Sequence, residues 1–377
     1  MSPNPSDGPG EFFDTVVIGG GQAGLAVGYY LARQQRDFVI LDAHERIGDA
    51  WRLRWDSLRL FTPAKYDGLP GMPFPGDRLS FPTKDEQAGY LEGYAARFGL
   101  PVRTGVRVDR LWREDDHFVI SSGDRRLMAA NVVVATGTCY APKVPAVSDQ
   151  LAPGVTQLHS SDYRNPAQLR QGPVLVVGLG NSGAEIALEV SHTHPTWVSG
   201  QPSGELPVRH GRAAARFVLP LVRFAGLHVL NLSTPIGRRI APKFLTHATP
   251  LIRTKRAELA AAGVEMVPRV TSAKDEQPVL DGGRVVEAAN VIWCTGYQVD
   301  FGWVDLPAFD QWGHPRQRRG VVDSVPGLYF LGLEFLFSAV SATLPGLGRD
   351  AEYLANQISA RVPYSSGRQQ STAKVSL

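Results

Sequence analysis

The chain has 377 residues, 43% hydrophobic and 20% charged, with a formal net charge of +3. The length allows two domains of ordinary globular composition, and so small a charge gives no reason to expect a nucleic-acid partner. Two cysteines, Cys139 and Cys294, are too few for a disulfide framework, and the absence of CxxC argues against a redox dithiol or a zinc site.

The leader MSPNPSDGPGEF has neither a basic region nor an apolar core, so residues 1–11 are expected to be a disordered tail and not a secretory signal. Asp14 to Ile18 reads as a buried strand, Gln22 to Arg33 as a helix and Phe38 to Leu41 as the next strand. Between the first strand and the helix stand Gly19, Gly21 and Gly24, a GxGxxG in the strand–turn–helix context of a dinucleotide loop. The first Gly makes the turn, the second admits a pyrophosphate, and the third lets helix and strand pack closely. Asp42, 23 residues after Gly19, is placed to accept hydrogen bonds from a ribose and to repel a 2′-phosphate. This unit is therefore expected to bind FAD or NAD.

The proline- and aromatic-rich stretch from Trp55 to Pro82 reads as a rigid loop beside the cofactor. Pro82 to Phe98 is expected to be helical, and Val102 to Ser121 to hold two or three strands. Asn131 to Gly137 is a buried strand leaving through Thr136 and Gly137. The pattern recurs at Asn290 to Tyr297 through Thr295 and Gly296. These matching exits suggest paired crossings between two domains.

Between them lies a second loop, Gly178, Gly180 and Gly183, with Asn181 and Ser182 as further cofactor-binding residues and a helix from Ser182 to Val190. The strand Thr196–Ser199 ends in Gly200 and Gln201. An Arg there would pair with a 2′-phosphate and an acid would select NADH, and neither is present. Arg209, His210 and Arg212 lie downstream, so weak discrimination is expected, with NADH accepted as well as NADPH.

Leu206 to Arg256 reads as Pro-punctuated helical pieces (Phe217–Leu219, Leu221–Leu232, Ile236–Leu245), serving as a substrate lid, a dimer surface or a peripheral membrane contact. Asp350 to Ile358 is the last helix, and residues 363–377 form a second disordered tail. No apolar stretch reaches the roughly 18 residues of a membrane span. The expected fold is α/β: two Rossmann-like dinucleotide-binding domains, with an NAD(P)H domain (163–289) inserted in an FAD domain (12–162 and 290–361). The expected location is cytoplasmic, and no metal site is expected.

The two loops, GDAW at Gly48–Trp51, ATG at Ala135–Gly137, HSSDYR at His159–Arg164, CTGY at Cys294–Tyr297 and GLGRDAEYLA from Gly346 make the chain resemble the class B flavoprotein monooxygenases. The resemblance runs from Asp14 to about Ile358. It implies FAD, NADPH or NADH, and O2, with hydride delivered to the flavin and a C4a-(hydro)peroxyflavin that oxygenates a small thioether, amine or carbonyl compound. It also implies that Trp51 and Asp350 belong to the cofactor site, with a helix N-terminus near Gly346 facing the flavin.

Family members carry an Asn near the flavin ring. Here Leu58 to Pro63 has none, and Phe61 or Leu60 takes its place. That keeps open an oxidase or reductase releasing hydrogen peroxide, or a redox-sensing flavoprotein without turnover. His159 and Tyr163 stand as linker residues that couple domain motion to NAD(P)H, although Pro153 and Val155 depart from the aromatic and Gly that usually precede the His. Tyr163, where the Baeyer–Villiger form has Trp, favours heteroatom oxygenation. A small-molecule substrate and a homodimer complete the expectation.

Overall fold

The computed structural model describes residues 11–361 except 139–140, 203 and 247–248. The tails after 362 and before 11 therefore lie outside the described residues. Glu11, expected in the tail, instead opens strand β1 (Glu11–Ile18) by pairing beside Leu127.

β1 runs into the first glycine turn, α1 (Gln22–Arg33) and β2 (Phe38–Leu41). Val16 and Val17 are fully buried, as a parallel strand covered on both faces requires. A short α2 (Asp49–Arg52) follows Gly48, whose φ of 91° and missing Cβ let it lie against Ala88 of α3 (Lys84–Arg97). α3 starts at a capping box: the Glu86 amide donates to the Thr83 hydroxyl at 3.2 Å, and the Thr83 amide to the Glu86 carboxylate at 2.7 Å. Three strands then appear where two or three were expected, β3 (Val102–Arg103), β4 (Arg110–Glu114) and β5 (His117–Ser122), followed by β6 (Arg125–Val134). The sheet runs β3-β2-β1-β6-β5-β4, parallel through β6 and antiparallel in the β4–β5–β6 meander.

The chain leaves through β7 (Ala141–Pro142) into β8 (Thr156–His159), β9 (Val174–Val177), α4 (Asn181–Val190) and β10 (Thr196–Ser199). A helical stretch follows: α5 (Arg212–Phe217), α6 (Leu219–Phe224) with a π turn at Ala225–Val229, α7 (Pro235–Thr246) and α8 (Arg256–Ala261). Next come β11 (Glu265–Val267), the hairpin β12 (Val270–Lys274) and β13 (Gln277–Leu280), and β14 (Asn290–Trp293). The second sheet is parallel throughout, in the order β11-β10-β9-β14-β8.

This pairing moves the expected boundaries. β8 and β14, placed by sequence on the first side of cuts at 162 and 290, are hydrogen-bonded members of the second sheet. The crossings lie after β6 and after β14. They run side by side, because β15 (Tyr297–Gln298) pairs antiparallel with β7. β16 (Leu328–Phe330) returns to the first sheet against β6. The last helix, α9 (Leu344–Ala360), packs on α1 and begins six residues earlier than expected, because Pro345 is tolerated in a first turn.

Candidate functional site

The two glycine loops share one backbone design. Gly19 has φ +110° and Gly178 φ +109°, and a Cβ at either would strike a carbonyl of the neighbouring exit, Ala135 at 2.5 Å or Cys294 at 2.3 Å. A Cβ at Gly24 would sit 1.9 Å from the Gly19 oxygen, and one at Gly183 1.8 Å from the Gly178 oxygen. The middle glycines, Gly21 and Gly180, meet nothing within 4 Å. Each loop is thus closed behind by its first and third glycines and open in front, where the helix N-terminus presents unpaired N–H groups. The exits through Thr136 and Gly137 and through Thr295 and Gly296 stand beside these loops, since the Ala135 amide donates to the Ile18 carbonyl and the Cys294 amide to that of Val177, both at 2.7 Å.

The strand ends differ. Asp42 is 8% exposed, accepts from the Gly20 amide at 2.6 Å and the His44 amide at 2.8 Å, and lies 2.8 Å from His44 Nδ1. Burial alone would raise its pKa, but the His44 and Gly20 contacts outweigh that and hold it below the ordinary carboxylate value. At the second strand end Gln201 is exposed. Arg209 is also exposed and has no ion-pair partner among the described residues, while Arg212 is paired with Asp77. His210 is half-buried, its ring tilted against Phe81 at 4.1 Å, and donates from Nε2 to the Phe61 carbonyl at 2.9 Å. The Asn181 side chain does not point freely into the loop. It accepts from the Ile252 amide at 2.8 Å and donates to the Pro250 carbonyl at 3.1 Å, tying α4 to the segment before α8. Ser182 is partly exposed in the same first turn.

His159, at the end of β8, clasps the second crossing at Gly296 and Tyr297. Its Nδ1 accepts from the Ser161 amide at 3.1 Å, so Nε2 carries the proton and donates to the Gly296 carbonyl at 3.0 Å. The ring stands edge-on to Tyr297 at 5.1 Å, and burial lowers its pKa, so it is a neutral clasp. Tyr163 is fully buried, with its hydroxyl donating to Glu189 at 2.8 Å, and burial raises its pKa. It is a core residue anchoring α4, and it reaches a ligand only through the helix it holds.

In the loop after α2, Leu60 is buried and Phe61 is 39% exposed. A cleft of about 400 Å³ is lined by residues that include Tyr66, Leu69, Arg223, Leu227, Leu344 and Arg349. A larger hollow of about 670 Å³ beside Arg110 and Trp303 touches neither glycine loop. Several buried polar atoms of the first unit have no hydrogen-bond partner: Gln22 Oε1, the Gln87 amide and both oxygens of Asp350, which has Arg349 Nε 3.9 Å from one of them. Buried polar groups are normally satisfied, so this set fits a polar ligand lying along the first loop. Asp350 was expected near a helix N-terminus. It sits instead in the second turn of α9, fully buried, with its pKa raised by burial. Trp51 packs on the core cluster of α1 and α3. Sequence reading missed Gln22 and Gln87, since burial without a hydrogen-bond partner leaves no mark in a motif.

The family model described as pyridine nucleotide-disulphide oxidoreductase matches residues 16–196. Cys294 is the cysteine among the described residues, and burial pushes its thiol up to about 12. A CzcO-like oxidoreductase of Geobacillus kaustophilus is 39% identical, over 92% of this chain and 98% of the relative. An indole-3-pyruvate monooxygenase of Oryza sativa is 34% identical over 46% of this chain and 44% of its own. Among solved structures, a flavin-containing monooxygenase from Stenotrophomonas maltophilia is 30% identical, with TM-score 0.75 over 93% of this chain and 99% of that one.

Proposed function

The chain belongs to the class B flavoprotein monooxygenases, a family of oxidoreductases, and on that premise we propose that its first unit holds FAD and its second, inserted unit holds NAD(P)H. The observation that carries this reading is the repeated loop, closed behind and open in front at both Gly21 and Gly180. When bound, the nicotinamide supplies hydride and the flavin activates oxygen. Asp42 would take the adenosine ribose of the first dinucleotide, and Gln22, Gln87 and Asp350 would meet its polar atoms. The N-terminus of α9 would offer amide donors to the flavin edge. Gln201 gives no charged partner to a 2′-phosphate, which supports use of NADH beside NADPH. His159 and Tyr163 act as positioning residues, through the crossings and α4. The substrate is a small soft nucleophile, a thioether or amine, or a carbonyl compound, and the site needs no protein nucleophile.

The test is a balance of products. The purified protein is reduced anaerobically by NADH and by NADPH, then turned over in air with methyl phenyl sulfide, measuring sulfoxide and hydrogen peroxide per nucleotide oxidised. Sulfoxide rising as peroxide falls supports the proposal. Peroxide alone at saturating sulfide would assign an oxidase, consistent with the missing Asn around Phe61. A flavin that neither nucleotide bleaches would leave a non-catalytic flavoprotein.

A further inference from the structure

Between Glu205 and Glu258 the sequence carries ten Lys and Arg residues and no carboxylate. The inner side of this segment is fixed to the body of the protein. Leu227 and Asn231 are buried, the Leu232 amide donates to the Phe337 carbonyl at 2.9 Å, and the Ala339 amide donates to the Leu230 carbonyl at 2.9 Å. A Cβ at Gly226 would meet Val340 at 2.8 Å.

The outer side is uncovered. Phe217 is 66% exposed, Leu221 70% and Phe224 59%. Their spacings of four and three along α5 and α6 put them in one stripe, and Ile236 of α7 is 56% exposed. Scattered single apolar residues on a surface need no explanation, but a stripe marks a contact. Arg216, Arg238, Arg239 and Lys243 are exposed on the same segment. Arg238 donates to the backbone carbonyls of Leu232 and Ser233, which leaves its charge uncompensated. Arg212 pairs with Asp77, Arg253 with Glu185 and Arg256 with Glu205, toward the two ends of the segment.

We propose that this face docks on an anionic membrane surface, with the cations over lipid headgroups and the Phe217–Leu221–Phe224 stripe in the acyl boundary. A basic helix with a row of Phe and Leu is the chemistry of an interfacial helix. A second copy of the chain packed face to face here would set these cations against themselves, and a nucleic acid would leave the stripe unburied. No described helix is long and apolar enough to span a bilayer, and none is required. Arg223, Leu227 and His228 line the 400 Å³ cleft from the same segment, so docking would bring a wall of that cleft to the lipid.

The experiment is co-sedimentation of the full-length flavoprotein with vesicles of phosphatidylcholine alone and of an equimolar mixture with phosphatidylglycerol. Binding is expected only to the anionic vesicles, and added salt should weaken it. The Arg238→Gln/Arg239→Gln variant should lose roughly fivefold per cation removed, and Leu221→Ser/Phe224→Ser should also bind more weakly. Both variants should keep wild-type flavin content and nucleotide oxidation in buffer, which separates lost docking from misfolding or from failure of the catalytic reading. Equal binding to both vesicles, no binding, or anionic binding indifferent to all four substitutions would overturn the proposal. A dimer in sedimentation velocity that Leu221→Ser disrupts, without vesicle binding, would assign the face to a second copy.

Discussion

The two nucleotide loops agree in backbone to within a degree of φ at Gly19 and Gly178 and differ in the side chain that ends the following strand. In the first unit Asp42 is buried and bonded to the loop itself through the Gly20 amide. In the second, Gln201 is exposed. The comparison teaches that the cradle is generic, because close packing and a helix N-terminus suit any pyrophosphate. On the proposed assignment, selectivity falls to the side chain at the strand end, Asp42 or Gln201.

The sharpest way to break the comparison is to fill the closed side of each loop. Gly24→Ala would place a methyl 1.9 Å from a backbone oxygen, and Gly183→Ala one at 1.8 Å. Neither backbone can yield easily, so each should cost about 3 kcal/mol or more locally. The first variant should lose flavin. The second should keep it, yet lose reduction by NAD(P)H by more than about a hundredfold. If Gly183→Ala instead loses flavin, while Gly24→Ala keeps flavin but loses its reduction by NAD(P)H, the assignment of the two loops is reversed.

Each unit also carries one carboxyl that burial pushes up to about 7: Asp67, partly offset by the Thr62 hydroxyl, and Glu185, partly offset by Arg253. A raised carboxyl holds a proton in the native state that the unfolded chain releases above about pH 4. Stability is therefore full below that value and falls as pH rises toward about 7. The wild-type thermal midpoint should drop between about pH 5 and about pH 8, and Asp67→Asn and Glu185→Gln should each flatten part of the drop, worth about 2 kcal/mol apiece. A variant whose midpoint falls as steeply as wild type would show that its carboxyl does not titrate there.

Exchanging the strand-end chemistry tests selectivity at a smaller scale. Asp42→Asn keeps the shape but weakens the charge-assisted bonds to Gly20 and His44, so flavin affinity should fall by about tenfold or more, measured by flavin release on dilution. Gln201→Arg should raise NADPH over NADH in kcat/KM by about tenfold. An unchanged ratio would mean that the 2′-phosphate lies elsewhere. Arg269 is the neighbour to test next, since the Pro268 carbonyl accepts from the Ser199 hydroxyl and the Val270 amide donates to it. The smallest effect is expected from Tyr163→Phe, which removes the bond to Glu189. It should cost about 1 kcal/mol of stability in denaturant melts, with kcat nearly unchanged. A large fall in kcat would move Tyr163 from the core into the chemistry.

The sequence alone determined what is local. Buried Val and Ile runs and glycines at fixed spacing are short-range signals. They located α1, β2, β10, the end of β1 and both loops within a residue or so, although β1 starts three residues earlier than expected. Tertiary structure decided what depends on partners distant in the chain. Which sheet takes Thr156–His159 and Asn290–Trp293 is set by pairing with Val174–Val177, and a strand's own residues carry no address. The neutral tautomer of His159, the core position of Tyr163, the buried polar atoms of Gln22, Gln87 and Asp350 without hydrogen bonds, and the uncovered stripe on α5 and α6 are facts of burial. Burial is a property of the packed whole, because desolvation of a side chain is imposed by every element that covers it.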